Sequence, residues 1–179
     1  SFATNSGFWV ADDFGEFPAM LFEWMRKSPK IRRELGLPVV RDPSLSPTEM
    51  MQNLWGLSRA YRDYALHASS ERISEANLLI LDNEATLRTY GIEMPRGFEM
   101  TTSFLHPWTI DYDAIYYSYV SGDALAQRLW LMGRDLSERD FWHVVDKEVL
   151  SRGAARPELE TSDAMFSHCR RLVGELGAN

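Results

Sequence analysis

A single cysteine, Cys169, is present among 179 residues. One thiol excludes an internal disulfide framework and fits a reducing compartment, so a cytoplasmic location is expected. No apolar run approaches the roughly 20 residues of a membrane-spanning helix, and no secretory signal is visible, so no membrane partner is expected. Basic residues never occur five in succession, and the densest patch (Arg26, Lys27, Lys30, Arg32, Arg33) is interrupted. With 19 basic residues against 26 acidic ones, the formal charge is −7, which argues against nucleic acid as a partner. Common catalytic signatures are missing as well. The sequence holds no H-E-x-x-H, no Gly-rich phosphate loop, no G-x-S-x-G and no C-x-x-C. Its four histidines, His67, His106, His143 and His168, include no pair three, four or five residues apart, so no helical His pair can grip a metal. Adjacent helical positions point in different directions, which removes His168 and Cys169 as a catalytic dyad and leaves a buried structural thiol.

What is present is helical periodicity nearly throughout, and no stretch sustains strand alternation. The sequence predicts an all-α fold in a single helical domain over residues 1–179, long enough to bury a core. Asp13-Phe-Gly-Glu16 has the D-x-x-E form of a helix start, and Phe17, Met20, Leu21, Trp24 and Met25 then recur at three and four residues until Pro29. A short basic helix through Ile31–Leu35 closes at Gly36. Ser46-Pro-Thr-Glu49 is a second capping box, opening a helix whose apolar stripe is Met50, Leu54, Leu57 and Tyr61. A third long helix is expected over Ser70–Tyr90, closed by Gly91 and Pro95, followed by a loop over 92–108. A further helix is expected from Asp111 to Met132, one opened by Ser137, and a last one capped by Ser162. The chain opens on Ser1 and not Met, as a processed or excised piece would. Six tryptophans are many for this length, and some suit a surface that another chain covers.

Two features bear on chemistry. Between His106 and Tyr119 the chain reads HPWTIDYDAIYYSY, and Tyr112, Tyr116 and Tyr119 fall at i, i+4 and i+7. On a helix these phenols share one face. A neutral phenol donates a hydrogen bond to a developing oxyanion, so a row of them beside a histidine suits a site that handles a peptide carbonyl. By periodicity alone, an aromatic stripe is ordinarily core. The second feature is Glu16 and Glu23, two turns apart on one helix. They read either as a metal ligand with a supporting carboxylate, or as a capping carboxylate with a solvated one.

Taken together, ADDFGEFPAMLFEWM, SFLHPWTIDYDAIYYSYVSGDAL and EVLSRGAARPELETSDAMF resemble, in order, the C-terminal part of the thimet oligopeptidase family. These zinc metallopeptidases include mitochondrial intermediate peptidase and oligopeptidase F. The resemblance implies the helical C-terminal half of a zincin-type oligopeptidase. In it Glu16 matches the third Zn2+ ligand and Glu23 the carboxylate that supports a zinc-binding histidine. His106, Tyr112, Tyr116 and Tyr119 match positions that bind peptide substrate and stabilise the tetrahedral intermediate. The family's paired glycines stand here as Gly153-Ala154, and Gly122 replaces a bulkier residue after the tyrosines. The larger departure is the H-E-x-x-H segment, which the family carries upstream of the matched region. A heterodimer with a second, H-E-x-x-H-bearing chain is therefore expected. The alternatives are a non-catalytic peptide-binding or scaffolding subunit and a fragment of a longer peptidase.

Overall fold

The computed structural model describes residues 15–39, 46–69, 74–95, 97, 99–104, 114–151 and 158–176. Among them the fold is all-α, as expected. Seven α-helices occur: α1 (Phe17–Met25), α2 (Pro29–Glu34), α3 (Pro47–Ala68), α4 (Glu75–Tyr90), α5 (Tyr117–Gly133), α6 (Glu138–Val145) and α7 (Glu158–Leu176). A short 3₁₀ turn spans Thr101–Ser103 and a π turn spans Asp146–Leu150. The chain divides into two compact units, one made of Ser1–Pro43 with Ser121–Asn179, the other of Ser44–Val120.

Local chemistry explains the starts of α3, α4 and α6. Ser46 and Glu49 form a reciprocal capping box, with Glu49 N donating to Ser46 Oγ at 3.2 Å and Ser46 N donating to Glu49 Oε2 at 2.8 Å. Ser74 caps α4 by accepting from Asn77 N, and Ser137 caps α6 by accepting from Asp140 N. Each such cap satisfies a donor that the first turn would otherwise leave unpaired. Gly91 closes α4 with φ of +70°, the left-handed conformation that glycine reaches at no steric cost.

Three boundaries differ from the sequence expectation. Helix α4 begins at Glu75, where Ser74 takes the N-cap and accepts from Asn77 N. Helix α7 already starts at Glu158, and Ser162 is a buried residue inside it. Helix α5 begins at Tyr117 and not at Asp111.

In the unit of residues 1–43 and 121–179, α1 turns Phe17, Leu21, Trp24 and Met25 inward. Trp24 Nε1 donates to Asp123 Oδ1 on α5 at 2.7 Å, which satisfies the indole in a largely apolar setting. Phe141, Val144 and Val145 of α6 and Met165, Phe166 and Cys169 of α7 continue this core. The π turn closes with Ser151 N donating to Asp146 O at 2.7 Å. The extra residue it accommodates carries Glu148 inward, where its Oε1 lies 3.1 Å from His168 Nδ1.

The unit of residues 44–120 is built differently. The expected stripe of α3 is not its buried face: Met50 and Leu57 are exposed, and Ser58, Arg62, Asp63 and Leu66 are buried. Helix α4 likewise buries Asp82, Ala85 and Thr86 while Ile80 and Leu87 face outward. Arg62 Nε donates to Asp82 Oδ1 at 2.7 Å, both side chains being only 1% exposed, and Arg62 also bonds Ser58 and Thr86. Asp82 in turn accepts from Met100 N at 2.9 Å and Thr101 N at 3.0 Å. Buried polar groups are tolerable only when paired, and here they pair with one another and with the backbone of the 3₁₀ turn.

Candidate functional site

His106 and Tyr112 lie outside the described residues. The other four candidate residues fall in the two units: Glu16 and Glu23 in the first, Tyr116 and Tyr119 in the second.

Glu16 occupies the N-cap of α1 (φ −87°, ψ −13°), and its side chain makes no capping bond. It is half-buried, while Glu23 is exposed. Glu16, Met20 and Glu23 follow one another at four and three residues along the edge of the apolar face formed by Phe17, Leu21 and Trp24. At 1.5 Å of rise per residue, the seven positions between the two glutamates separate them by about 10 Å along the axis. A catalytic zinc needs three protein ligands. Among the described residues no group of three or more His, Cys, Asp or Glu side chains could hold a metal ion.

Tyr116 departs from the expectation of three phenols stacked on one helix. It sits in the turn just before α5, preceded by Ala114 at φ +61°. A non-glycine residue in the left-handed region costs of order 1–3 kcal/mol, which the surroundings must offset. They do so through Asp63, buried on α3. Its Oδ1 accepts from Ala114 N at 3.1 Å and its Oδ2 from Tyr116 N at 2.8 Å. The carboxylate thus holds the turn that leads into α5, near the positive end of that helix. His67, one turn along α3, contributes Nδ1 at 3.2 Å from Asp63 Oδ1.

The phenols themselves are close. Tyr116 and Tyr119 have ring centroids 5.0 Å apart at an interplanar angle of 39°. Phe104 meets Tyr116 edge-on at 5.1 Å. Arg59 Nη1 donates to the Tyr116 hydroxyl at 3.3 Å. Accepting a bond from a cation polarises that O–H and makes it a stronger donor. The arrangement can grip a carbonyl or stabilise negative charge on oxygen.

Arg59, Asp63 and the Arg62–Asp82 pair are the residues that reading the sequence missed. One signal was available: Ser58, Arg62 and Leu66 share a helical face, as do Arg59 and Asp63, but polar residues at that spacing ordinarily mark a solvated face. Cys169 and His168 behave as expected. Burial pushes the Cys169 thiol pKa up, and His168 turns toward Glu148. No helix among the described residues is long and apolar enough to cross a membrane.

No family model matches the chain. Over an alignment of 206 residues it is 24% identical to the mitochondrial intermediate peptidase of Lodderomyces elongisporus, an alignment that covers 95% of this chain and 24% of that protein. The chain spans about a quarter of the length of the curated relative it matches. At this identity the similarity supports a peptidase-related origin, shared along nearly the whole of these 179 residues.

Proposed function

We propose that this chain is one part of a zinc-dependent peptide-hydrolysing enzyme. In this reading Glu16 is a metal ligand, Glu23 orients another ligand, and the H-E-x-x-H segment comes from a second chain in a heterodimer. The observation that carries it is the Tyr116–Tyr119 pair, held by Asp63 in a backbone conformation that apolar packing alone would not select. The distant similarity to a peptidase supports it from a separate direction.

Bound zinc would supply the polarisation of a substrate carbonyl and of a water. The chain's own residues do the rest of the binding. Tyr119 and Tyr116 donate hydrogen bonds to the oxygen that gains negative charge, with Tyr119 ranked first. His106 and Tyr112 contact the peptide backbone. Loss of one such donor typically costs about 2.7–4 kcal/mol of transition-state stabilisation.

The test combines the purified chain with an H-E-x-x-H-bearing partner and measures zinc content and peptide cleavage. The pair is expected to bind zinc, Glu16→Ala to abolish both signals, and Tyr119→Phe to lower kcat by about a hundredfold. A pair without zinc, or a Glu16→Ala variant with full activity, refutes the proposal. The exposure of Glu23, where a supporting carboxylate would ordinarily be enclosed, favours a second reading: a non-catalytic peptide-binding or scaffolding subunit. That reading expects peptide affinity without turnover and tolerance of Glu16→Gln.

A further inference from the structure

Beside Tyr116 lies a small cavity of about 60 Å³, lined by Trp55, Arg59, Arg62, Met100, Ser103 and Phe104. Its volume is about that of two water molecules, room for one carboxylate-sized group. Two cations line it, and they differ. Arg62 is neutralised by Asp82 at 2.7 Å. Arg59 is half-buried, and among the described residues no carboxylate lies within ion-pair distance of it. A carboxylate does stand one turn along α3, at Asp63, but it is turned to the backbone of Ala114 and Tyr116. The Arg59 guanidinium is held instead by rings, with Cζ 4.6 Å from the centroid of Trp55 and 4.8 Å from that of Phe104. A guanidinium gripped by its faces keeps its N–H edge for a planar acceptor, and the single bond to the Tyr116 hydroxyl uses only part of that edge.

We propose that Arg59 is a carboxylate-binding residue, set to receive an acidic group of the peptide that Tyr116 contacts. The ligand's identity as a peptide rests on the function proposed above, whereas its charge and shape rest on the cavity alone. Two sources supply the same chemistry: the free C-terminus of a short peptide and an Asp or Glu side chain. The Trp55 and Phe104 rings hold the guanidinium, and its charge and paired N–H donors favour an acid over its amide.

The experiment follows the arginine Nε–H signals of the full chain by NMR, with the Arg59 signal identified by its loss in Arg59→Lys. N-acetylglycine is expected to shift that signal saturably, at least about tenfold tighter than N-acetylglycinamide, and Arg59→Gln is expected to remove the difference. Equal response to acid and amide, or no saturable response, overturns the proposal. Two peptides then separate the sources, one with a free C-terminus and no acidic side chain, the other amidated and carrying one glutamate. Whichever displaces N-acetylglycine identifies the carboxylate, and displacement by neither overturns the proposal. All of this is read without metal or partner. A chain that binds the acid but never supports cleavage loses the peptidase reading and keeps this one. A cleaving complex indifferent to every carboxylate on its peptide keeps the peptidase reading and loses this one.

Discussion

Among the described residues of the unit 1–43 and 121–179, the largest fully buried side chains are Phe17, Leu21, Leu129, Val144, Met165 and Cys169. In the unit of residues 44–120 they are Arg62, Asp63, Asp82, Thr101 and Ser58, while Met51, Leu57, Tyr64 and Ile80 face outward. The first unit follows the ordinary rule that apolar surface leaves water. The second inverts it. Apolar packing is non-directional and supplies free energy in proportion to the area removed from water. A buried ion pair contributes little net stability, because desolvation offsets attraction, but its hydrogen bonds are directional. The inverted unit is therefore organised for placement. Its polar groups hold the backbone at Met100–Thr101 and at Ala114–Tyr116, the two segments that present Phe104 and Tyr116.

Breaking each kind of interior in turn tests this contrast. Arg62→Met leaves Asp82 buried without its cation, an expected loss of about 3–5 kcal/mol in urea unfolding. Phe141→Ala is expected to cost a similar amount, about 3–5 kcal/mol, through a cavity in the apolar core. The two should separate in near-ultraviolet circular dichroism, where Arg62→Met disturbs the tyrosine signal at concentrations of denaturant that leave the chain folded and Phe141→Ala does not. Identical spectra for both variants would remove the distinction between placement and packing.

A smaller effect is expected at Gly133, inside the apolar unit. A Cβ there would lie 2.6 Å from Phe141 Cδ2 and 2.8 Å from Cε2, with Cys169 Sγ at 3.3 Å. Gly133→Ala should destabilise by about 1–3 kcal/mol through overpacking, although alanine is the better helix former. A rise in melting temperature would show that the ring can move aside and that this core is looser than its burial implies. The smallest effect belongs to the outward face of the inverted unit. Ile80→Ser is expected to change stability by no more than about 0.5 kcal/mol, since its side chain is 66% exposed. A loss several times larger would mean that Ile80 is covered in solution.

The helices were legible in the sequence because their signals are local. Ser46-Pro-Thr-Glu49 names its own capping box, Gly91 its own helix end, and Phe17, Leu21 and Trp24 their own buried face. The face of α3 was not legible from Met50, Leu54, Leu57 and Tyr61, because periodicity reports that a stripe exists and not what lies opposite it. Tyr116 illustrates the same limit. Its spacing from Tyr119 predicts a shared helical face, yet Asp63, more than 50 positions away, draws its N–H out of the helix into a turn.

Composition and spacing thus determined the all-α class, the caps at Ser46 and Ser137, and the order of Glu16, Glu23 and the tyrosines that resembles a peptidase. Only the tertiary structure decided which polar groups go inside, that Asp63 fixes the turn before α5, and that Arg59 faces a cavity where, among the described residues, rings and not a carboxylate hold it. The physical reason is range. Helix propensity and capping act within one or two turns, whereas a buried charge is tolerated only where distant segments converge to pair with it.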